Sequence, residues 1–240
     1  MINILLPSMG GSLFFKENYF PKPLIEINGE TMLEHVVHDY DSLKAKKLIF
    51  VFGEQECQRF HLDDSARILT GDEGAIITLK NQTAGALCTC LMAVDYIDND
   101  SPLIIANADQ IIDVDYQDVI RVFEKENCSA GVITFSSVHP RWSYAKLEDD
   151  IVVEVAEKRP LSSNAIAGFY YFQKGADFVR AAQKVLLKNN QLDGVYYISS
   201  SLNEIILENK KVGHYVIDKE QYHSFYSPEK IREYEGGIRG

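Results

Sequence analysis

Two patterns of apolar and polar positions alternate along the chain up to residue 135. Short, continuous apolar runs are typical of strands that are buried on both faces of a parallel sheet. Between these runs, apolar residues recur with the spacing of an amphipathic helix. The apolar runs predict strands at residues 2–6, 48–52, 75–79, 102–106 and 130–135. The helical spacing predicts helices at residues 31–40, 54–60 and 115–126, and one that begins at Thr83 or Gly85 and ends at Ala93.

Two of these helices carry start signals in the sequence. Thr31 is followed three residues later by Glu34, which is the spacing of a capping box at a helix N-terminus. Asp115 is the first residue of the helix predicted at 115–126, where an aspartate is a favoured cap.

The pattern changes in the second half of the chain. Strands at 144–147 and 151–156 are separated by three acidic residues and predict a hairpin. A further strand is predicted at 167–172, helices at 178–188 and 198–208, and a last strand at 212–217. Alternation with short connections indicates an α/β fold, in which helices flank both faces of a mainly parallel sheet. We therefore predict one continuous α/β domain over residues 1–240, with a small β elaboration between about 140 and 220.

Composition and charge narrow the classes of partner. The 240 residues include 35 acidic and 24 basic ones, for a formal net charge of −11. A protein that grips a nucleic-acid backbone needs a basic face, so we expect no nucleic-acid partner, although a nucleotide ligand is compatible with this charge. The four cysteines match no disulfide framework or zinc pattern. No apolar run approaches the ~20 residues of a membrane span, and there is no signal segment, so we expect a cytoplasmic protein without a membrane partner.

The segment after the first strand has the chemistry of a phosphate site. Gly10, Gly11 and Ser12 follow an apolar run and could present bare backbone amides to phosphate oxygens, although an ordinary turn has the same composition. Lys22 stands between Pro21 and Pro23, which restrict the backbone around its positive charge. The alternative for Lys22 is a surface lysine in a proline-stiffened turn.

A second candidate site follows the strand at 102–106. Asn107 and Asp109 come directly after it, and ligands of open α/β sheets bind outside the carboxyl ends of the strands. A carboxylate there is well placed to hold Mg²⁺ against a phosphate. Asp109 could instead be a turn residue or a helix cap, and Asp113 and Asp115 are nearby rivals.

Two further clusters suggest contacts with a ligand. Gly85 permits close approach of a planar base, and the Gln82 amide can both donate and accept at a base edge. A plain helix start explains these residues equally well. Glu157 and Lys158 end a predicted strand, and Arg159 follows them. Lys158 and Arg159 are a pair of cations that can bind an acceptor phosphate. A solvated charged turn is the alternative there.

Taken in order, these motifs resemble those of a known family. Residues 20–29 read Phe-Pro-Lys-Pro-Leu-Ile-Glu-Ile-Asn-Gly, and residues 82–86 read Gln-Thr-Ala-Gly-Ala. Residues 104–109 end in Asn-Ala-Asp, 155–158 end in Glu-Lys, and 164–172 contain Gly168, with Asp-Gly-Val-Tyr-Tyr-Ile at 193–198. The chain is similar over nearly its whole length to the sugar-phosphate nucleotidyltransferases, the nucleoside-diphosphate-sugar pyrophosphorylases, whose core is Rossmann-like and glycosyltransferase-A-like.

The resemblance implies an enzyme that joins a nucleoside triphosphate to a phosphorylated acceptor and releases pyrophosphate. It implies that Asp109 holds Mg²⁺, that Lys22 stabilises the α-phosphate, and that the amides of Gly10, Gly11 and Ser12 cradle the triphosphate. Nucleotide contacts are then expected from Gln82, Gly85 and Asn107, and acceptor contacts from Glu157, Lys158 and Gly168. Residues 1–140 would form the nucleotide-binding half and 141–240 the acceptor-binding half. Synthesis of a surface polysaccharide is the expected purpose. Whether the chain forms a homo-oligomer is left open.

The chain departs from the family pattern at three places. Leu13 stands where the usual Gly-x-Gly-x-Arg loop has its arginine, and we consider Lys16 as a substitute cation. Residues 223–229, His-Ser-Phe-Tyr-Ser-Pro-Glu, replace a segment that commonly ends Gly-Thr-Pro-Glu and often carries a second metal-binding aspartate. Val195 stands where a glutamate is frequent. Two alternatives therefore remain: a weakened or inactive relative that acts as a binding or regulatory module, and a glycosyltransferase on the same core.

Overall fold

The structure is a computed structural model that describes residues 1–9, 13–15 and 18–237, with Leu13 described by its backbone only. The strands are β1 (Ile2–Pro7), β2 (Glu26–Ile27), β3 (Glu30–Thr31), β4 (Lys46–Gly53), β5 (Ala75–Leu79), β6 (Leu103–Ala106), β7 (Gln110–Ile112), β8 (Ala130–Ser136), β9 (Ser143–Glu148), β10 (Ile151–Glu157), β11 (Asn164–Phe172), β12 (Val212–Val216) and β13 (Tyr222–Ser224). The helices are α1 (Met32–His38), α2 (Glu54–Phe60), α3 (Leu62–Thr70), α4 (Ala86–Leu91), α5 (Val94–Ile97), α6 (Tyr116–Lys125), α7 (Gly175–Leu187), α8 (Ser199–Leu207) and α9 (Pro228–Gly237). Short 3₁₀ helices lie at Leu13–Phe15, Lys22–Leu24 and Lys219–Gln221.

Nine of the described strands form one sheet. Its first part is parallel, in the order β5-β4-β1-β6, and β11 then runs antiparallel to β6. Beyond β11, β8 and β12 continue the sheet on one side, and the β9–β10 hairpin pairs with the start of β11 on the other. Two-stranded ribbons, β2–β3 and β7–β13, lie apart from this sheet.

Apolar side chains bury both faces of the sheet, as the continuous runs predicted. In β1, Ile4 and Leu6 belong to one core and Leu5 to the other, and all three are fully buried. Since neighbouring residues of a strand point to opposite faces, a strand that is buried on both sides needs an unbroken apolar run. The predicted fold class is confirmed: a mixed, mainly parallel sheet that is flanked by helices.

The predicted start signals are confirmed in detail. The Thr31 hydroxyl accepts a hydrogen bond from the Glu34 amide at 3.2 Å, and the Glu34 carboxylate accepts one from the Thr31 amide at 2.6 Å. Asp115 caps α6 by accepting from the Gln117 amide at 2.9 Å. Asp115 is therefore used within the fold, and it is not a rival of Asp109.

Helix α3 and strand β11 are among the elements that differ from the sequence-based expectation. Helix α3 was not predicted, because Leu62 and Ala66 are its only buried residues and so narrow an apolar stripe is hard to recognise. The strand predicted at 167–172 begins three residues earlier, at Asn164, and it lies inside the sheet between β6 and β8. No described helix is long and apolar enough to cross a membrane.

Candidate active site

A cleft of about 420 Å³ opens at the carboxyl ends of β1 and β6, and we call it the Lys22 cleft. Its walls come from the ends of these strands, from the segment around Lys22 and from the start of α4. The lining residues are Pro7, Ser8, Met9, Phe15, Pro21, Lys22, Pro23, Glu56, Gln82, Thr83, Gly85, Ala86, Thr89, Asn107, Ala108 and Asp109. The structure thus brings predicted residues of three separate chain segments to one cavity: Lys22, Gln82 with Gly85, and Asn107 with Asp109. This is expected for the carboxyl edge of an α/β sheet.

Lys22 and Asp109 form an ion pair in this cleft. The Lys22 ammonium donates to Oδ2 of Asp109 and lies 5.6 Å from the centre of the Phe15 ring. The Lys22 side chain is only 16% exposed and that of Asp109 29%. Pro21, with φ of −66°, directs the chain into the 3₁₀ turn on which Lys22 is the first residue. The cation is therefore held at a fixed place by backbone restraint and by its acidic partner.

Two side-chain amides support the loop that carries Asp109. The Asn107 side chain donates to the Gln110 side-chain oxygen at 3.1 Å, and the Gln110 side chain donates to the Gly168 carbonyl at 3.0 Å. Tyr222 adds a hydrogen bond to the same Gln110 oxygen at 3.1 Å. Gln110 is almost fully buried, so this network fixes the turn between β6 and β7.

Gly168 is required by that network. Its φ is +62°, and a Cβ at this position would overlap with the Asn107 side chain and lie 2.6 Å from the Gln110 side-chain oxygen. The missing side chain thus leaves room for the two amides beside β11. The predicted acceptor contact of Gly168 stays a prediction, because Gly168 does not line the Lys22 cleft.

The close packing around Gly85 likewise requires a glycine at that position. Its φ is +123°, and an added Cβ would overlap with the Tyr196 carbonyl and lie 2.8 Å from the Tyr196 nitrogen. The Tyr196 amide donates to the Ala84 carbonyl at 2.8 Å, and its own carbonyl accepts from the Leu87 amide at 3.2 Å. The backbone around Tyr196 therefore packs directly against the start of α4, while Gln82 and Gly85 still face the cleft.

Three cleft residues escaped the sequence analysis. Thr83 and Thr89 share a hydroxyl–hydroxyl hydrogen bond of 2.7 Å, and Thr83 also donates to the Gly85 carbonyl at 2.9 Å. Glu56 lies on α2, where burial raises the pKa of its carboxyl and a hydrogen bond from the Gly53 amide partly opposes this. Glu56 follows the end of β4 by three residues, so the rule of carboxyl strand ends could have found it.

Glu157 and Lys158 lie outside the Lys22 cleft, at the end of β10. The Glu157 carboxylate accepts hydrogen bonds from the hydroxyls of Ser143 and Ser199, the second at 2.9 Å. The Lys158 ammonium donates to the Tyr197 hydroxyl at 2.8 Å, and this bond raises the pKa of Lys158. The two residues are thus held by different neighbours, and their role toward an acceptor stays a prediction.

The departures from the family pattern can be followed only in part. Gly10, Gly11, Ser12 and Lys16 lie outside the described residues, and Leu13 begins a 3₁₀ turn. In the C-terminal segment, Ser224 pairs with Gln110, and the Phe225 amide donates to the Asp109 carbonyl at 2.8 Å. The segment thus lies beside Asp109 without supplying it with a second carboxylate.

The donor set at Asp109 fits a magnesium ion that is shared with a phosphate. In the described ranges no three His, Cys, Asp or Glu residues form a metal cluster. Asp113 is engaged elsewhere, because its carboxylate lies 2.7 Å from Nε2 of His223. Mg²⁺ is usually bound through one or two carboxylates together with substrate phosphates and water, so one partly exposed aspartate suffices.

Comparison with known proteins agrees with this geometry. A model of the nucleotidyl transferase family matches residues 18–222, so the chain belongs to this family and is a nucleotidyltransferase. The UTP–glucose-1-phosphate uridylyltransferase AglF of Haloferax volcanii is 27% identical in an alignment 210 residues long, which covers 82% of this chain and 80% of that protein.

Two further proteins extend the comparison. The bifunctional protein GlmU of Alkaliphilus metalliredigens is 26% identical over 232 residues, which cover 90% of this chain but only 47% of GlmU. The chain thus spans about half the length of that relative. The nucleoside-diphosphate-sugar pyrophosphorylase of Vibrio cholerae RC9 superposes with a TM-score of 0.82 at 20% identity, over 98% of this chain and 100% of the other. This likeness supports the fold.

Proposed function

We propose that the protein joins a nucleoside triphosphate to a sugar phosphate, or a similar phosphorylated acceptor, to give a nucleotide-activated product and pyrophosphate. The observation that carries this proposal is the Lys22–Asp109 ion pair at the carboxyl edge of the sheet. A paired cation and carboxylate in one cleft suit a ligand that brings both phosphates and a divalent cation.

The reaction is an in-line displacement at phosphorus. An oxygen of the acceptor phosphate forms a bond to the α-phosphorus, and the bond from the α-phosphorus to the bridging oxygen of the β-phosphate breaks. Pyrophosphate leaves with that electron pair. Such a transfer needs little covalent help from the protein, which contributes position and charge.

Lys22 has the central electrostatic role in this proposal. Its ammonium is restrained by the proline-flanked turn and can turn from Asp109 to an α-phosphate oxygen when the nucleotide enters. Negative charge grows on the non-bridging oxygens and on the leaving group during transfer, and a cation already in place stabilises that charge without reorganisation. Asp109, released from Lys22, becomes available to a metal ion.

Magnesium is part of the proposal, and Asp109 is the residue that would hold it. When bound, Mg²⁺ would neutralise charge on the phosphates of both substrates. Lys22 and Asp109 would thus exchange one partner for another: the ammonium passes to phosphate and the carboxylate to the metal.

The other predicted residues divide between the two substrates. Gln82, Gly85 and Asn107 face the Lys22 cleft and are proposed to contact the nucleotide, together with Gly10, Gly11 and Ser12. Glu157, Lys158 and Gly168 are proposed to serve the acceptor. A cytoplasmic place in the synthesis of a surface polysaccharide, and the division at residue 140 into two binding halves, remain proposals of the same kind.

The test is pyrophosphate release from a panel of nucleoside triphosphates and sugar 1-phosphates in the presence of Mg²⁺. Release that depends on both substrates, and that is lost in Lys22→Gln but kept in Lys44→Gln, supports the proposal. Lys44 is an exposed lysine outside the cleft and gives the same change of charge. Nucleotide binding without release from any pair would point to a regulatory module, and transfer from a ready-made nucleotide sugar to a glycosyltransferase.

A further inference from the structure

A second cavity, of about 630 Å³, lies beside the β7–β13 ribbon, and we call it the Arg141 cavity. Its walls combine rings with charged side chains. The lining residues are Asp113, Phe135, Ser137, His139, Arg141, Trp142, Lys219, Glu220, Tyr222, His223, Ser224, Tyr226, Lys230, Glu233, Tyr234 and Gly237. Its volume is within the range of small-molecule sites, and none of its residues lines the Lys22 cleft.

The Arg141 guanidinium lies between two rings of this cavity. Its carbon is 4.2 Å from the centre of the Trp142 ring and 4.5 Å from that of Tyr226. Stacking of this kind uses the faces of the guanidinium and leaves its N–H edges available. Over residues 1–9, 13–15 and 18–237, the Arg141 side chain makes no hydrogen bond or ion pair that would occupy those edges.

The other charges of the cavity largely cancel. The Asp113 carboxylate is bonded to His223, and the Lys230 ammonium is bonded to Glu233. Lys219 and Glu220 are neighbours of opposite sign. Of the cavity cations without an ion pair among the described residues, Arg141 is the one whose guanidinium is stacked between two rings. Its fork of N–H donors matches a carboxylate or a phosphate.

Contacts along two paths join the Arg141 cavity to the residues proposed for the acceptor. The Trp142 carbonyl accepts from the Lys158 amide at 3.0 Å. Tyr222 donates to Gln110, whose side chain in turn donates to the Gly168 carbonyl. Ser224, which lines the cavity, pairs with Gln110, directly after Asp109 in the chain. The wall of the Arg141 cavity is thus bonded directly to the segments that carry Asp109 and Lys158.

We infer that the Arg141 cavity holds the non-reacting part of the acceptor, and that the preferred acceptor carries a second anionic group, a carboxylate or a further phosphate, which binds the Arg141 guanidinium edge. This inference rests on the proposed function for the identity of the acceptor. The ring cluster of Phe135, Trp142 and Tyr222, whose centres are 4.8 to 5.5 Å apart, offers apolar surface to the body of the same molecule.

Trp142 makes the inference testable without turnover, because it is the single tryptophan of the chain. We would titrate the protein with glucose 1-phosphate and with glucuronic acid 1-phosphate, which differ by one carboxylate, and record tryptophan fluorescence. We expect the carboxylated compound to bind about tenfold or more tightly, since a hydrogen-bonded charge pair contributes on this scale. Arg141→Gln should abolish this preference, and Arg141→Lys should restore only part of it.

The same pair of acceptors is then compared in the pyrophosphate assay. Arg141→Gln should raise the KM for the carboxylated acceptor about tenfold or more, with little change in kcat or in the KM for glucose 1-phosphate. Arg232→Gln is the matched control, because this exposed arginine pairs with Glu229 and does not line the cavity. Thermal unfolding of each variant confirms that it is folded.

Three outcomes would overturn the inference. Equal binding of both compounds by the unmodified protein, or equal loss of both in Arg141→Gln, would remove the anion preference. If the carboxylated compound changes the fluorescence but no acceptor that the enzyme turns over displaces it, the cavity is an independent ligand site. Failure of the proposed function is seen separately, as the absence of pyrophosphate release from every pair, whatever the fluorescence shows.

Discussion

Lys22 and Asp109 are 87 positions apart in sequence and form an ion pair at the carboxyl edge of the sheet. The lysine belongs to a short 3₁₀ turn after β1 and the aspartate to the turn after β6, and these two strands are parallel neighbours. The pair thus forms because adjacent parallel strands deliver their following residues to one edge. Each partner also keeps the other from being an uncompensated charge in a partly buried place.

Loss of the Asp109 charge should cost activity on the order of 100-fold, because the group acts where charge develops during transfer. Asp109→Asn keeps the size of the side chain, and it should also raise the Mg²⁺ concentration required for half-maximal rate. The measurement is pyrophosphate release against Mg²⁺ concentration. Asp95→Asn, at an exposed position on α5, is the control. An unchanged Mg²⁺ dependence in Asp109→Asn would rule out this role.

Gly168→Ala should destabilise the protein by about 3 kcal/mol, the sum of an unfavourable φ and an overpacked contact. The added methyl group would displace the side-chain amides of Asn107 and Gln110. Gly194→Ala is a matched control, because Gly194 has a φ of +79° with nothing within 4 Å of an added Cβ. It should cost only about 1 kcal/mol, and urea unfolding measures both. Equal losses would mean that the contact is harmless.

Asp39 should make the protein less stable as the pH rises. Burial raises the pKa of this carboxyl from 3.8 to about 7, although the Tyr116 hydroxyl and the Ile112 amide donate to it. Between these two pH values the folded protein keeps a proton on Asp39 that the unfolded chain has released. The contribution of Asp39 to the free energy of unfolding is therefore fully present below pH 4 and is lost as the pH rises through 7.

Asp39→Asn should remove this pH dependence, because an amide keeps an acceptor for Tyr116 and does not titrate. Denaturant unfolding at pH 5 and pH 8 is the measurement, and the unmodified protein should lose more stability between them than the variant does. Asp41→Asn, whose exposed carboxylate pairs with Lys46, should behave like the unmodified protein. A parallel decline in all three proteins would show that Asp39 is not the group responsible.

Glu56→Gln should tighten triphosphate binding a few-fold. A carboxylate in the wall of the Lys22 cleft repels a polyanion, and at short range such a charge is worth about 1 kcal/mol in a wet site. Glu54→Gln on the same helix is the control, because Glu54 does not line the cleft. The KM for the nucleotide is the readout, and a weaker substrate affinity in Glu56→Gln would indicate a direct positive contact instead.

The sequence was most informative where one local rule decides the structure. The apolar run of β1 and the capping box of α1 depend on a few adjacent residues, and both are confirmed. The motifs also led to Lys22 and Asp109 before any contact between them was visible. The strand at 167–172 was predicted, but its place inside the sheet was not, because that place depends on pairing with β6 and β8, which no local pattern contains.

The sequence also does not show why glycine is needed at positions 85 and 168. Gly85 is explained by the backbone of Tyr196, and Gly168 by the side chains of Asn107 and Gln110. Glu56 and Arg141 were missed for a related cause, because each is an ordinary charged residue until the fold places it in a cavity wall. Such positions become visible only when segments far apart in sequence are brought together.

The hydrogen bonds between Tyr196 and the start of α4 have a consequence for the affinities of the two proposed substrate sites. They fasten a segment that is also linked to Lys158, through Tyr197, onto the loop that faces the Lys22 cleft. A ligand that shifts one of these segments must work against the other. If Lys158 serves the acceptor as proposed, we expect the affinities for the two substrates to be thermodynamically linked, and by reciprocity each substrate would change the binding of the other by the same factor.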